Sequence, residues 1–288
     1  MSISALIVNF NAGEALLACV RALLDGPGGV RVTVADNAST DGSAERLRAL
    51  YGDRADVEVV FNPTNPGFAA AVNARVKSMG SDWILIVNPD CEVRGDAVTQ
   101  LREALEADKR AALAAPRVTD PEGVVEKACL RRFPDPWKSL VTFSGLWRLG
   151  HRVPWLRGVP VGRAAMPAGV VRAEAVSGAC MMIRRNALEE VGYFDEAYTL
   201  HCEDLDLMYR LKQADWHCLF VPGATAVHAG GVSSRSRPLW VLRQKHRGMA
   251  RFFEKFQASR YPAPVRWLVH AGIWIHFLVK APMALVGR

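Results

Sequence analysis

Three acids and one histidine are the side chains of this sequence best suited to do chemistry. The first is Asp90, which follows the apolar run at 83–87 and a proline. A buried strand that ends there would place its carboxylate at the edge of a sheet, where ligands bind in open α/β folds. Divalent cations such as Mg²⁺ prefer oxygen ligands, so Asp90 is a candidate metal ligand. The alternative is that Asp90 caps a helix predicted to start at 95–98.

The second feature is a pair of adjacent acids, Glu203 and Asp204, at the predicted start of a helix. Leu205, Met208 and Leu211 have the spacing of its buried face. A helix N-terminus favours ionised carboxylates, and an ionised carboxylate can take a proton from a substrate hydroxyl within hydrogen-bonding reach. Capping alone would need only one acid, so the pair indicates a candidate catalytic base.

His228 ends a short apolar run at 221–227 and begins a Gly/Ser loop that extends to Ser234. A single histidine is often only a structural residue. A neutral imidazole can also complete a metal site begun by Asp90, and the Gly/Ser loop could close over phosphates. Both interpretations stay open from these residues alone.

The elements that would position these side chains alternate regularly in the first half of the chain. Hydrophobic periodicity predicts strands at 4–10, 30–35, 57–61 and 83–87, with helices at 13–24, from 40–43, and at 68–77. This β-α-β-α-β-α-β order predicts a doubly wound, mostly parallel sheet with right-handed crossovers. Four polar loops follow these strands and would meet at one edge. Capping explains any one of them, but four together indicate a nucleotide site, although no dinucleotide-binding or P-loop motif is present.

Composition sets the broad class of the protein. With 288 residues, 50% of them hydrophobic, the chain could form one large α/β domain with an appendage or two modest domains. Six scattered cysteines suggest neither a disulfide framework nor a zinc site, and we expect a reducing compartment and no signal peptide. Residues 116–172 have a weak pattern rich in Arg, Trp and Pro, which predicts an irregular insert or lid.

The net charge of +7 is concentrated near the end of the chain. Residues 235–288 hold 11 of the 36 Lys and Arg residues and only one acid, Glu254. A predicted helix there has basic residues every four positions beside aromatic ones, namely Arg243, Arg247, Arg251 and Lys255 beside Trp240, Phe252, Phe253 and Phe256. The last segment, 267–286, has the length of a membrane span, but Arg266, His270, His276 and Lys280 share about a third of its helical circumference. We therefore expect a tail that lies on an anionic membrane surface, and no nucleic-acid binding.

Eight short motifs in a fixed order make the chain resemble the family 2 glycosyltransferases of the GT-A fold, in particular their bacterial rhamnosyltransferase-like branch. Each motif is weak by itself, but their order is specific, and the likeness spans about residues 3–255. The motifs are Val8-Asn9-Phe10-Asn11, Asp36-Asn37-Ala38-Ser39-Thr40-Asp41-Gly42-Ser43, Asn65-Pro66-Gly67-Phe68 with Asn73, Asn88-Pro89-Asp90, Gly178-Ala179-Cys180-Met181, Gly192-Tyr193-Phe194-Asp195-Glu196, Glu203-Asp204-Leu205-Asp206-Leu207 and His228-Ala229-Gly230-Gly231-Val232-Ser233.

The resemblance implies a role for each candidate site residue. Asp204 would be the catalytic base, and Glu203 would orient the acceptor or the loop of Asp204. Asp90, with His228, would bind the Mg²⁺ or Mn²⁺ that bridges the donor diphosphate. The nucleotide-binding residues would be Asn11, Asp36, Asn65, Asn73 and Asn88. Asn88 stands where the family usually has an acid, so metal binding should depend more on Asp90 and His228.

The implied protein is an inverting, metal-dependent glycosyltransferase at the cytoplasmic face of the inner membrane. We expect residues 1–234 to form the GT-A catalytic domain, with a nucleotide-binding half at 1–115 and an acceptor-binding half at 116–234, and residues 235–288 to form a membrane-associating tail. The donor would be dTDP-rhamnose and the acceptor a saccharide on a polyprenyl diphosphate. The alternatives are a UDP- or GDP-sugar donor, or a non-catalytic, membrane-docked saccharide-binding protein on a degenerate transferase fold.

Overall fold

The computed structural model describes residues 2–162, 165–231 and 237–286. The first half alternates as the periodicity predicts: β1 (Ile3–Asn9), α1 (Glu14–Asp25), β2 (Arg31–Asp36), α2 (Ser43–Tyr51), β3 (Val57–Phe61), α3 (Phe68–Val76) and β4 (Trp83–Val87). A hairpin-like strand, β5 (Cys91–Arg94), then precedes α4 (Ala97–Ala107) and β6 (Ala111–Thr119).

The second half is less regular and carries the insert. Its elements are β7 (Leu130–Arg131), α5 (Pro136–Phe143), β8 (Val171–Ala173), β9 (Ala175–Val176), β10 (Cys180–Arg184), α6 (Arg185–Glu190), α7 (Glu203–Gln213), β11 (His217–His228), α8 (Pro238–Phe256) and α9 (Ala263–Val286). Strands β9 and β10 are separated by a turn at 177–179.

One nine-stranded sheet organises the molecule, with the strand order β3-β2-β1-β4-β10-β6-β11-β5 and with β8 paired to β11. Strands β1 to β4 are parallel, and β10 enters antiparallel between β4 and β6. Two apolar clusters cover the two faces of this sheet. The predicted mostly parallel α/β fold is therefore confirmed, and the carboxyl ends of β1, β2 and β4 meet at one edge, which carries the polar loops.

Helix α8 is attached to α7 by an ion pair to a buried carboxylate. The carboxylate of Asp206 is fully buried and accepts hydrogen bonds from Arg210 Nε and Lys255 Nζ, both at 2.6 Å. Lys255 also binds Asp195 at 2.7 Å, as does Arg251 at 2.9 Å. The predicted cationic face is thus wrong for Arg251 and Lys255, because both neutralise acids of the protein itself.

The aromatic side of α8 also differs from the prediction. Phe252 and Phe253 are buried, and Phe252 packs edge-on against Tyr209 of α7 in the main core. Phe256 lies 4.5 Å from the same Tyr209 ring, measured between centroids. Phe252 and Phe256 thus fill the interface between α7 and α8, and Phe253 packs on Tyr261 and His270. These rings are therefore not available to a membrane. Only Trp240 of the predicted aromatic side is largely exposed.

Helix α9 presents its polar stripe to α8 and its apolar side outward. Glu254 of α8 accepts from His270 Nε2 at 2.6 Å and pairs with Arg266 at 3.4 Å, and His276 Nδ1 lies 2.9 Å from His246 Nε2. Three residues of the stripe, Arg266, His270 and His276, therefore contact α8. In the described residues α9 is the one helix long and apolar enough to cross a membrane by length and composition, with mean hydropathy 1.4 over Ala263–Leu285.

We expect Lys255→Met to lower the free energy of unfolding by about 2 kcal/mol, because Asp206 stays buried and loses one of its two cationic partners. Urea unfolding followed by circular dichroism measures the change. Lys109→Met, at an exposed turn before β6, is the control and should change stability by less than about 0.5 kcal/mol. Equal stability of both variants would show that the ion pair between Lys255 and Asp206 contributes little to the free energy of unfolding.

Candidate active site

Asp90 and His228 meet at the sheet edge because β5 and β11 pair antiparallel. The register places His228 opposite Cys91, one residue beyond Asp90. His228 Nε2 lies 3.1 Å from Asp90 Oδ1, and Ala229 N donates to the Asp90 carbonyl at 2.9 Å. Strand β5 separates Asp90 from α4, so the capping alternative for Asp90 is excluded. The predicted phosphate loop continues into Val232, Ser233 and Ser234, which lie outside the described residues.

Glu126 is the partner of His228 that sequence reasoning missed. Its Oε1 accepts from His228 Nδ1 at 2.7 Å. Burial by itself lowers the pKa of His228, but the hydrogen bonds with Asp90 and Glu126 outweigh burial and raise this pKa to about 9. A carboxylate on the far ring nitrogen is the usual second partner of a metal-binding histidine, since it fixes the orientation of the ring. Glu126 stands in the weakly patterned insert, which gave no signal for it.

The donor atoms at this edge fit a small divalent cation. An octahedral ion with ligand distances of about 2.1 Å holds neighbouring ligands about 3 Å apart, and Asp90 Oδ1 and His228 Nε2 are 3.1 Å apart. Asn88 Nδ2 lies 3.3 Å from the same imidazole nitrogen, so the residue that replaces the usual acid is also here. Within residues 2–162, 165–231 and 237–286, no group of three or more His, Cys, Asp or Glu side chains could hold a metal.

The two predicted acids are the first residues of α7, and an arginine holds one of them. Arg131 Nη2 donates to Asp204 Oδ2 at 2.6 Å and to the Val176 carbonyl at 2.5 Å, while Asp204 Oδ1 accepts from Leu205 N at 2.8 Å. Both oxygens of the predicted base therefore have a fixed orientation. Arg131 lies in β7, at the start of the insert, and its pairing with Asp204 could not be predicted from sequence because 73 residues separate them.

Glu203 lies beside Asp204 and has a different environment. Its Oε2 is buried without a hydrogen-bond partner in the described part of the chain. Burial, followed by the charge of Asp204, raises the pKa of Glu203 above its usual range. A protonated Glu203 can donate a hydrogen bond, whereas an ionised one can only accept. The two neighbouring carboxyl groups therefore lie in different environments, which suits them to two different roles.

The Gly178–Ala179 segment between β9 and β10 connects the two acidic centres. Asn88 N donates to the Ala179 carbonyl at 2.8 Å. The next residue back, Gly178, is so close to Asp204 that a Cβ built on it would lie 3.0 Å from the Asp204 carboxylate. Adjacent Cα atoms are about 3.8 Å apart, so the loop of Asp90 and the side chain of Asp204 contact the same short segment.

The first two polar loops are joined by a buried network around Asp36. Asn9 Nδ2 donates to Asp36 Oδ1 at 2.7 Å, and Ser39 Oγ donates to the same oxygen at 2.6 Å. Asn11 has a positive φ of 52° and its Oδ1 accepts from Thr40 N at 2.7 Å. These bonds hold the β1 and β2 loops together at the sheet edge. Asn9, which the sequence analysis assigned no role, is at the centre of this network.

Asn65 and Asn73 lie in the third loop region, in different settings. Asn65 is exposed, and its Oδ1 accepts from Asn37 Nδ2 at 3.2 Å, which joins the third loop to the second. Asn73 is buried on α3, donates to the Phe194 carbonyl at 2.9 Å and to Glu196 at 2.8 Å, and accepts from Phe194 N. Asn73 therefore holds the 192–196 turn, and its contact with a nucleotide stays a prediction.

We expect Gly178→Ala to lower kcat about 100-fold with little loss of thermal stability. The added methyl would displace the Asp204 carboxylate, and a displacement of about 1 Å at a reacting group can cost this much. The matched control is Gly80→Ala, since a Cβ there meets nothing within 4 Å. Turnover of Gly178→Ala equal to that of Gly80→Ala would show that the position of Asp204 is not critical.

Comparison with known proteins agrees with this geometry. The family described as Glycosyl transferase family 2 matches residues 4–192. The chain is 29% identical over 273 residues to the N-acetylglucosaminyl-diphospho-decaprenol L-rhamnosyltransferase of Mycobacterium tuberculosis, covering 88% of this chain and 85% of the relative.

Solved structures with less than 25% identity show the same fold. GalNAc-T7 with UDP, GalNAc and Mn²⁺ superposes with a TM-score of 0.63 at 17% identity, covering 79% of this chain and 43% of that one. The mannosyltransferase PcManGT from Pyrobaculum calidifontis, in complex with GDP-Man and Mn²⁺, gives 0.59 at 18% identity, covering 99% of this chain and 74% of that one. The predicted GT-A architecture is confirmed by these likenesses. The chain belongs to glycosyl transferase family 2, is a glycosyltransferase, and within that family is similar to the rhamnosyltransferases.

Proposed function

We propose that this enzyme transfers L-rhamnose from dTDP-rhamnose, with inversion, to a saccharide carried on a polyprenyl diphosphate at the cytoplasmic face of the inner membrane. The observation that carries the proposal is the contact of the Gly178–Ala179 segment with both the metal-binding edge and Asp204. The choice of rhamnose and of a lipid-linked acceptor rests on the likeness to the M. tuberculosis rhamnosyltransferase.

In this proposal Asp204 is the base. Its carboxylate takes the proton of an acceptor hydroxyl as that oxygen attacks the anomeric carbon, and the bond from that carbon to the diphosphate breaks on the opposite face. Arg131 fixes the direction of the carboxylate at 2.6 Å. Glu203, protonated, donates a hydrogen bond that positions the acceptor or the Asp204 loop. Proton transfer and attack therefore occur in one displacement, which inverts the anomeric configuration.

Asp90 and His228 would hold the Mg²⁺ or Mn²⁺, and Glu126 would keep the imidazole in the orientation that presents Nε2. When bound, the cation would neutralise charge that develops on the leaving diphosphate. Asn11, Asp36, Asn65 and Asn88 lie at the same sheet edge and are proposed to line the nucleotide pocket. Asp36, whose carboxylate is buried in the Asn9 network and whose Oδ2 also accepts from Ser39 N at 3.0 Å, is proposed to contact the base.

The membrane attachment proposed for residues 235–288 depends chiefly on α9. Its outward side is apolar, and exposed basic residues on α8, Arg243 and Arg247, supply charge toward anionic lipid. The side of α9 that contacts α8 is polar and tied to a folded domain, which favours a helix lying in the interface over a spanning one. Wild-type protein that resists both high-salt and alkaline carbonate washes of membranes would contradict this.

The experiment that tests the proposed function is a donor screen with purified enzyme. The enzyme is incubated with Mn²⁺, a polyprenyl-diphosphate-linked saccharide and one of dTDP-rhamnose, UDP-sugars or GDP-sugars, and product is resolved by mass spectrometry and its anomer by NMR. We expect transfer from dTDP-rhamnose with inverted configuration. Preferential transfer from a UDP- or GDP-sugar would identify that sugar nucleotide as the donor. If none of the donors were transferred or hydrolysed, the non-catalytic saccharide-binding alternative would be favoured.

A further inference from the structure

The insert presents a second apolar surface that the proposed function does not use. Helix α5 and the two short 3₁₀ turns at 146–149 and 154–156 place six large apolar side chains in solvent, each between 41% and 63% exposed. We call this set the insert surface: Trp137, Leu140, Phe143, Leu146, Leu149 and Trp155.

The apolar side chains of the insert surface lie on one side of the elements that carry them. In α5, Trp137, Leu140 and Phe143 are three residues apart and occupy an arc of about 120° of the helix, while Val141 on the other side is buried. Leu146 and Leu149 are also three apart, which puts them on one face of a 3₁₀ turn. Trp137 stacks on Trp155 and donates its indole N–H to the Trp155 carbonyl at 2.8 Å.

Exposed arginines border the insert surface, while the acid that caps α5, Asp135, pairs with Lys138 at 3.0 Å. Residues 136–173 contain six Lys and Arg residues and no Asp or Glu. Arg148, Arg152 and Arg157 are exposed between the apolar side chains. An apolar surface containing tryptophan and bordered by basic residues complements the headgroup region of an anionic bilayer, where indole rings are enriched and each cation adds attraction.

The insert surface continues into the apolar side of α9. Phe143 stacks on His276 with ring centroids 4.1 Å apart. On a helical wheel His276 borders the arc that carries Val279 and Met283, both more than 60% exposed. The two surfaces are therefore neighbours.

We propose that the insert surface is a second membrane-docking element, which contacts anionic lipid together with α9 and fixes the height of the acceptor site above the bilayer. The inference rests on the proposed function only for the identity of the acceptor. Arg131 stands five residues before α5 and holds Asp204, and Gln257 at the end of α8 donates to the Pro134 carbonyl. Docking of the insert would thus position the base relative to a hydroxyl carried on a membrane-bound lipid.

Hydrogen–deuterium exchange of the full chain with and without vesicles of phosphatidylcholine and phosphatidylglycerol tests the proposal directly. We expect slower exchange in peptides covering 136–156 as well as in α9, and a smaller effect with phosphatidylcholine alone. Protection confined to α9 would overturn the insert's role and leave the tail's role intact. This readout does not depend on sugar transfer, so failure of the proposed function would not be confused with it.

A variant series supplies the second measurement. Leu140→Ser with Leu146→Ser and Leu149→Ser should lower the vesicle partition coefficient about tenfold, whereas Leu50→Ser with Phe61→Ser, exposed residues of α2 and β3, should leave it within about twofold. Transfer to a lipid-linked acceptor in vesicles should fall with partitioning, and transfer to a water-soluble acceptor should not. Unchanged partitioning would refute the proposal. A wild-type dimer that the leucine substitutions dissociate in solution would also refute it, because the insert surface would then contact a second copy of the chain.

Discussion

Asp204→Asn is expected to lower the rate of sugar transfer by about 10²- to 10⁴-fold while donor affinity changes less than about twofold. The amide keeps the size and shape of the carboxylate but cannot take a proton from the acceptor hydroxyl. In Asp204, Oδ2 accepts from Arg131 at 2.6 Å and Oδ1 from Leu205 N at 2.8 Å. The single amide oxygen of asparagine can keep one of these two bonds, and we expect it to keep the bond to Arg131. The effect should therefore appear in kcat with the acceptor and be nearly absent from nucleotide binding.

Stopped assays of transfer and calorimetric titration with nucleoside diphosphate measure the two quantities separately. Asp215→Asn is a suitable control, because Asp215 is an exposed acid at the other end of α7 with a positive φ of 60° that asparagine tolerates. Glu203→Gln should have an intermediate effect, since glutamine can still donate a hydrogen bond. If Asp204→Asn turned over at the wild-type rate, Asp204 would have no place in the mechanism.

Asp90→Ala is expected to weaken metal-dependent binding of nucleoside diphosphate by more than about 100-fold. Asp90 Oδ1 and His228 Nε2 lie 3.1 Å apart and are the two atoms proposed to bind the cation. The substitution removes the first of them and leaves only His228 of this pair. His228→Ala should act in the same direction. Isothermal titration with Mn²⁺ present and absent separates the metal-dependent part of the affinity from the rest.

Glu126 gives this prediction a graded control. Glu126→Gln keeps a hydrogen-bond acceptor for His228 Nδ1 but removes the charge, and loss of such an outer partner typically costs about 10- to 100-fold in metal affinity. Glu122→Gln, at an exposed position nearby, should have no effect. Unchanged metal and nucleotide affinity in both Asp90→Ala and His228→Ala would mean that the two residues do not share a cation.

Local sequence patterns were sufficient to predict the elements that have a regular hydrophobic periodicity. The strands β1 to β4 and the helices between them are short, strongly apolar on the buried side and bounded by polar turns, so their existence and order followed from the sequence. The candidate residues Asp90, Asp204 and His228 were found for the same reason, since each stands where such an element begins or ends. Pairings between distant residues left no local trace, and Glu126 and Arg131 were assigned no partners for that reason.

Helix α8 shows why charge patterns can mislead. Four basic residues at a spacing of four predict a cationic face, but the sequence does not show which residues that face contacts. Lys255 meets Asp206, 49 residues away, and Arg251 meets Asp195. The same limit applies to α9, whose polar stripe meets Glu254 and His246 of α8.

The amino-acid sequence by itself determined the α/β class, the order of the first seven elements, the family and the residues placed at the sheet edge, because these depend on local periodicity and on short motifs. Tertiary structure alone decided which of those residues contact one another. It joined Glu126 to His228, Arg131 to Asp204 and Asn73 to the 192–196 turn, and it turned the polar side of α9 inward. Such contacts depend on how strands and helices that are distant in the chain pack, and packing is settled by the whole core.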